Sequence, residues 1–171
     1  MPNPADATGR PRPDATQLAA WRAFLRAHAA ITRCLERELV AEQQLSLAAY
    51  DVLVQLAEAP GRELRMTDLA DAVLLSRSGV TRLVDRLERA GLVTRCRTSA
   101  DGRGVVAVLT EAGLDRLRTA AGTHLAGIVR HFVDPLSPEE LAALGAISAR
   151  LTGPPADRPA AVPAPPAESP W

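Results

Sequence analysis

The residues best suited to chemistry are arginines gathered around one short segment. Residues 62–110 hold nine arginines against six acids, a local excess of three positive charges in a chain with no formal net charge. Within that segment, Arg77, Ser78, Thr81, Arg82, Asp85, Arg86 and Arg89 recur on the outward side of a helix predicted from about Arg77 to Ala90. Its inward side is Val80, Leu83, Val84 and Leu87, at the i, i+3, i+4, i+7 spacing of an amphipathic helix. An arginine fork donates two hydrogen bonds to one guanine edge in a major groove. Serine and threonine serve phosphates or short base contacts. A helix N-terminus also favours a phosphate. The competing reading is a solvated helix face laced with i, i+4 ion pairs, such as Asp85 with Arg89.

The elements around this helix favour the first reading. Residues 66–73 form a short helix, followed by a tight turn with Ser76 as cap, and Gly91 stops the helix that follows. Leu92–Cys96 and Val105–Leu109 read as strands, and the Asp101-Gly102 and Gly104 signals between them mark a hairpin. Helix, turn, helix and hairpin in that order describe a helix-turn-helix with an appended wing. Gly79 is expected to let the backbone approach closely.

Long helices flank this lobe. Residues 16–41 carry Leu18, Trp21, Leu25, His28, Thr32, Leu35 and Leu39 at alternating spacings of three and four, widened by Phe24 and Ile31. Thr16 is the expected cap. Residues 46–58, capped by Ser46, carry Leu47, Tyr50, Leu53, Val54 and Ala57. After Thr110, a helix carries Leu114, Leu117, Ala121, Leu125, Ile128 and Phe132 until Pro135. Ser137-Pro138-Glu139-Glu140 then starts a last helix with a capping box. These apolar faces exceed what one small lobe can bury, so they predict a dimer.

Proline sets the boundaries. Four of the 14 prolines lie in residues 1–13 and seven in residues 154–170. The expected organisation is a tail over 1–15, one domain over 16–152 and a Pro-rich tail over 153–171. Within the domain, 46–110 form the winged lobe and 16–41 with 111–152 form the dimerisation helices. The fold class is mainly α with a small β-hairpin wing.

The segment from Leu64 to Glu111 resembles the MarR family of bacterial winged helix-turn-helix regulators. Ser76-Arg-Ser-Gly-Val-Thr-Arg-Leu-Val-Asp-Arg-Leu-Glu88 is similar to its recognition helix. Asp101-Gly102-Arg103 matches the wing, and Leu109-Thr-Glu-Ala-Gly113 matches the helix start after it. The resemblance spans roughly residues 18–151. It implies a homodimer on a pseudo-palindromic operator in double-stranded DNA, most often a repressor. Arg103 would enter the minor groove, oriented by Asp101. Ser76, Arg77, Ser78, Thr81 and Arg82 would face the major groove, and Arg86, Arg95 and Arg97 would bind phosphates. It also implies a small aromatic or lipophilic inducer, in a pocket between the first helices and the DNA-binding lobe, for which Trp21, Phe24, His28 and Tyr50 are the candidates.

Other classes find little support. There is no Gly-rich phosphate loop, nucleophile elbow or metal-ligand cluster, so neither enzyme, cofactor nor metal is expected. No apolar run is long enough to span a membrane, and two cysteines make no disulfide framework, which predicts a cytoplasmic protein. Cys34 and Cys96 read first as small buried residues and second as redox sites. His28, His124 and His131 read as polar core or interface residues. The alternative function is a helical dimeric interaction protein without specific DNA binding.

Overall fold

The computed structural model describes residue 10 and residues 12–73, 75–97 and 104–152. The proposed wing residues Asp101 and Arg103, and most of both proline-rich tails, lie outside the described residues. Helix α1 runs Ala15–Gln43, α2 Leu47–Glu58, α3 Met66–Ala72, α4 Arg77–Arg89, α5 Glu111–Ile128 and α6 Pro138–Thr152. Three strands, β1 (Glu63–Arg65), β2 (Val93–Arg97) and β3 (Val105–Leu109), pair antiparallel in the order β1-β3-β2. The expected hairpin is present, with Val93 opposite Leu109 and Arg97 opposite Val105. The third strand, β1, has no counterpart in the sequence reading. Three residues between a turn and a helix carry too little alternation to signal it; pairing with β3 makes it a strand, with Leu64 opposite Ala107.

The caps explain the helix limits. Helix α1 starts one residue earlier than expected because Asp14, not Thr16, closes a capping box with Gln17. The Gln17 N–H donates to Asp14 Oδ1 at 2.8 Å, and the Asp14 N–H donates to Gln17 Oε1 at 2.9 Å. Ser46, Ser76 and Thr110 cap α2, α4 and α5. Ser137 and Glu140 exchange the two bonds of the expected box at α6. Helix α5 ends at Ile128, ahead of Pro135, in a single π turn over Val129–Val133. Gly91 takes the left-handed conformation, φ 73°, that turns the chain from α4 into β2. Gly113 is required for a different reason: a Cβ there would lie 2.1 Å from the Leu92 carbonyl oxygen.

The core sits where α2 meets α1, α3, α4, α5 and the sheet. Leu39, Val52, Leu53, Leu56, Leu69, Val80, Val84, Val93 and Leu117 are its fully buried side chains. The seam of α1 divides. Leu35 and Leu39 are buried, whereas Trp21, Phe24 and Leu25 are about half exposed, at 57%, 49% and 44%. Leu125, Val129, Ile147 and Leu151 of the last helices are exposed as well. No described helix is long and apolar enough to cross a membrane.

Candidate nucleic-acid interface

Helix α4 turns Val80, Leu83, Val84 and Leu87 into the core and leaves Arg77, Ser78, Thr81, Arg82, Arg86 and Arg89 exposed. Ser76 Oγ accepts the Gly79 N–H at 3.1 Å and lies 3.2 Å from Ser78 Oγ. Thr81 donates its hydroxyl to the Arg77 carbonyl at 2.9 Å, which leaves its lone pairs outward. The helix therefore presents a capped N-terminus with two hydroxyls and two arginines beside it. Gly79 does not open the backbone to a partner. It is half-buried under the cap, and a Cβ there would stand 3.2 Å from Ser76 Oγ.

Arg95 is held by two acids of α4. Its Nε and Nη2 donate to Glu88 Oε2 at 2.9 and 2.6 Å, and its backbone N–H donates to Glu88 Oε1 at 3.1 Å. Nη2 also pairs with Asp85. Two carboxylates of α4 thus hold the first strand of the hairpin. The pairing lowers the Glu88 carboxyl below its ordinary range and raises Arg95. The Asp85–Arg89 ion pair of the competing reading is not formed: Arg89 Nε donates to the Asp85 carbonyl oxygen at 3.1 Å. Arg97 is exposed at the end of β2. Arg86 lines a separate cleft with Leu83 and Leu87.

The chain matches the model of the MarR family over residues 43–104. It is 38% identical to the MarR-family regulator AbsC of Streptomyces coelicolor, with a TM-score of 0.74, over 81% of this chain and 93% of that one. It is 34% identical to Sco3205 of the same organism, solved in complex with DNA, with a TM-score of 0.76, over 85% of this chain and 97% of that one. PecS of Dickeya dadantii, an HTH-type transcriptional regulator, is 28% identical over 123 residues, 71% of this chain and 72% of PecS. The chain belongs to the MarR family of transcriptional regulators.

In this MarR-family chain the four expected inducer contacts do not converge. Phe24 and His28 line a cleft of about 430 Å³ with Ile31, His131, Phe132 and Leu144. Trp21 stacks on Phe24, with centroids 6.1 Å apart, outside that lining. Tyr50 is buried elsewhere, its ring 4.4 Å from that of His124. The reason is length: α1 extends about 43 Å, and α2 packs where Leu39 of α1 is buried, far from the Trp21–His28 segment. Burial first, then Asp51 and Glu58, pushes the Tyr50 hydroxyl up to about 12. Burial also lowers His124.

His131 and Arg130 both reach Glu38 Oε1, at 2.7 and 2.8 Å, and these bonds hold the Glu38 carboxyl low. Cys34 is half-buried, with Arg37 Nη2 3.5 Å from its sulfur, while Cys96 is exposed on β2 rather than buried. No group of three potential metal ligands exists among the described residues. The sequence reading missed the Glu88–Arg95 clamp. Its signal was available in the spacing, since Glu88 lies on the flank of α4 that a following strand must cross.

Proposed function

We propose that the protein is a homodimeric, ligand-responsive repressor that binds a pseudo-palindromic operator. One observation carries the reading: α4 exposes a wholly polar, arginine-bearing face beside the hairpin, while α1, α5 and α6 expose apolar side chains that need a second copy. Each protomer then places α4 in a major groove, with Ser76, Arg77, Ser78, Thr81 and Arg82 toward the bases and phosphates. Arg97 reaches the backbone, and Arg103, oriented by Asp101, enters the minor groove, where narrow width deepens the negative potential. Arg95 holds the hairpin to α4 instead of touching DNA. The apolar cleft at Phe24 and His28 takes a lipophilic or aromatic inducer. An inducer releases DNA only by binding better to the spacing of α4 helices that the operator rejects.

The test is fluorescence anisotropy with the DNA upstream of the protein's own gene, at several salt concentrations. Arg82→Ala and Arg103→Ala are run beside the wild type. Steep salt dependence and a loss of about 1–3 kcal/mol in each variant are the expected result. A dimer that binds no selected sequence, and is indifferent to both changes, would establish the interaction-protein alternative instead.

A further inference from the structure

Helix α1 carries four arginines, Arg22, Arg26, Arg33 and Arg37, all of them exposed. At about 100° per residue they share one stripe, turned away from the apolar seam of Trp21, Leu25, Leu35 and Leu39. They form two i, i+4 pairs, Arg22–Arg26 and Arg33–Arg37, eleven residues apart. Eleven residues make about three turns, so both pairs face the same way, about 16 Å apart along the axis. Like charges at i, i+4 oppose a helix. An acid in the stripe would relieve them, yet all three acids of α1 are engaged with other elements. Glu36 Oε2 accepts the Leu47 N–H at 2.5 Å, Glu38 Oε1 meets Arg130 and His131, and Glu42 Oε2 accepts the Thr123 hydroxyl at 3.0 Å. Arg22, Arg26 and Arg33 have no hydrogen-bond or ion-pair partner among the described residues. Arg37 places Nη2 3.5 Å from the Cys34 sulfur and meets no acid among them.

We propose that this face of α1 is a second nucleic-acid surface, each arginine pair holding backbone phosphate of a duplex without reading its sequence. Two positive forks without counter-ions recur at a fixed distance, and a duplex is a repeating anion. A major groove about 12 Å wide carries phosphates on both lips, so pairs about 16 Å apart reach one lip each. Only Ala29 and Ala30 lie between the pairs on this face. The stripe therefore has no large apolar side chain to enter a membrane, and no pocket to select the side chains of a peptide. The surface belongs to a helix other than α4 and stands without the operator reading. A regulator with both surfaces holds two stretches of duplex at once; that consequence alone rests on the function proposed above.

The full chain is titrated against a labelled duplex of random sequence by anisotropy, from about 25 to about 200 mM salt. Arg26→Gln combined with Arg33→Gln takes one arginine from each pair. Arg118→Gln combined with Arg150→Gln removes the same charge from exposed positions elsewhere. The α1 double variant is expected to bind about tenfold more weakly at the lowest salt. Its slope of log K against log salt should be shallower by about 2 for each α1 face engaged. The control pair should lower affinity by less than about threefold, since only the screened field changes. Circular dichroism checks that both variants keep their helices. Absence of wild-type binding at low salt, or equal effects in the two double variants, overturns the surface. Labelled poly-glutamate of matched charge is titrated alongside. If it binds through these arginines and the duplex does not, the partner is an acidic polypeptide and the proposal falls.

Discussion

Arg95 shows how a side chain's neighbours decide its role more firmly than its charge does. With three donors committed to Glu88 and one shared with Asp85, its positive charge is neutralised before any phosphate arrives. A sign separates the two roles. If Arg95 served a phosphate, removing the acid beside it would strengthen DNA binding. As a clamp on the hairpin, it predicts the opposite. Glu88→Gln should weaken operator binding about threefold to tenfold, measured by anisotropy at fixed salt. Asp51 offers a second test, on stability. Burial raises its carboxyl from an ordinary 3.8 to about 6, so the folded state holds the proton more tightly than the unfolded chain. That contribution is full below pH 4 and is lost as pH rises toward 6. Asp51→Asn should therefore exceed wild-type stability by about 2 kcal/mol at pH 7.5. The gain should vanish below pH 4, read from urea midpoints across that range.

Elements were legible in this chain where local chemistry alone decides them. The α4 stripe of Val80, Leu83, Val84 and Leu87, the Ser46 and Ser76 caps and the Ser137–Glu140 box all follow from spacing, and all are observed. Strand β1 was not legible because only pairing with β3 creates it, and neither was the separation of Tyr50 from Phe24, which the length of α1 and the place where α2 packs on it decide. Arg86 and Arg116, 30 residues apart on two helices, line one cleft, and no local pattern announces that. Gly113 belongs to the same class. It reads as the third residue of a helix, an ordinary position, yet the turn just before β2 brings the Leu92 carbonyl to the place of its missing side chain. Gly113→Ala should force α5 away from the sheet entrance and destabilise the protein by about 2–4 kcal/mol. A fall of the melting temperature without change in the dimer's size would confirm that the strain is internal to the protomer.

The whole molecule leaves apolar side chains exposed on α1, just past the end of α5 and on α6. Leu39, Leu53, Leu69 and Leu117 complete a core within the chain, but Leu25, Val129, Ile147 and Leu151 remain between 44% and 72% exposed. These residues lie on the parts of α1 and α6, and just past the end of α5, that the core leaves uncovered. Burying a leucine or isoleucine contributes about 1.5–3 kcal/mol, so a second copy covering all four on each side gains enough to outweigh the entropy of association. A charge introduced into that face should separate the copies without touching the lobe's core. Leu25→Glu combined with Leu151→Glu is expected to shift light scattering from dimer to monomer while circular dichroism keeps its helical signal. Operator affinity should fall by far more than the factor seen for any single arginine, because one protomer reads only one half-site. A double variant that stays dimeric would place the partner surface elsewhere. A monomer that still binds the full operator as tightly as wild type would show that the two recognition helices do not act together.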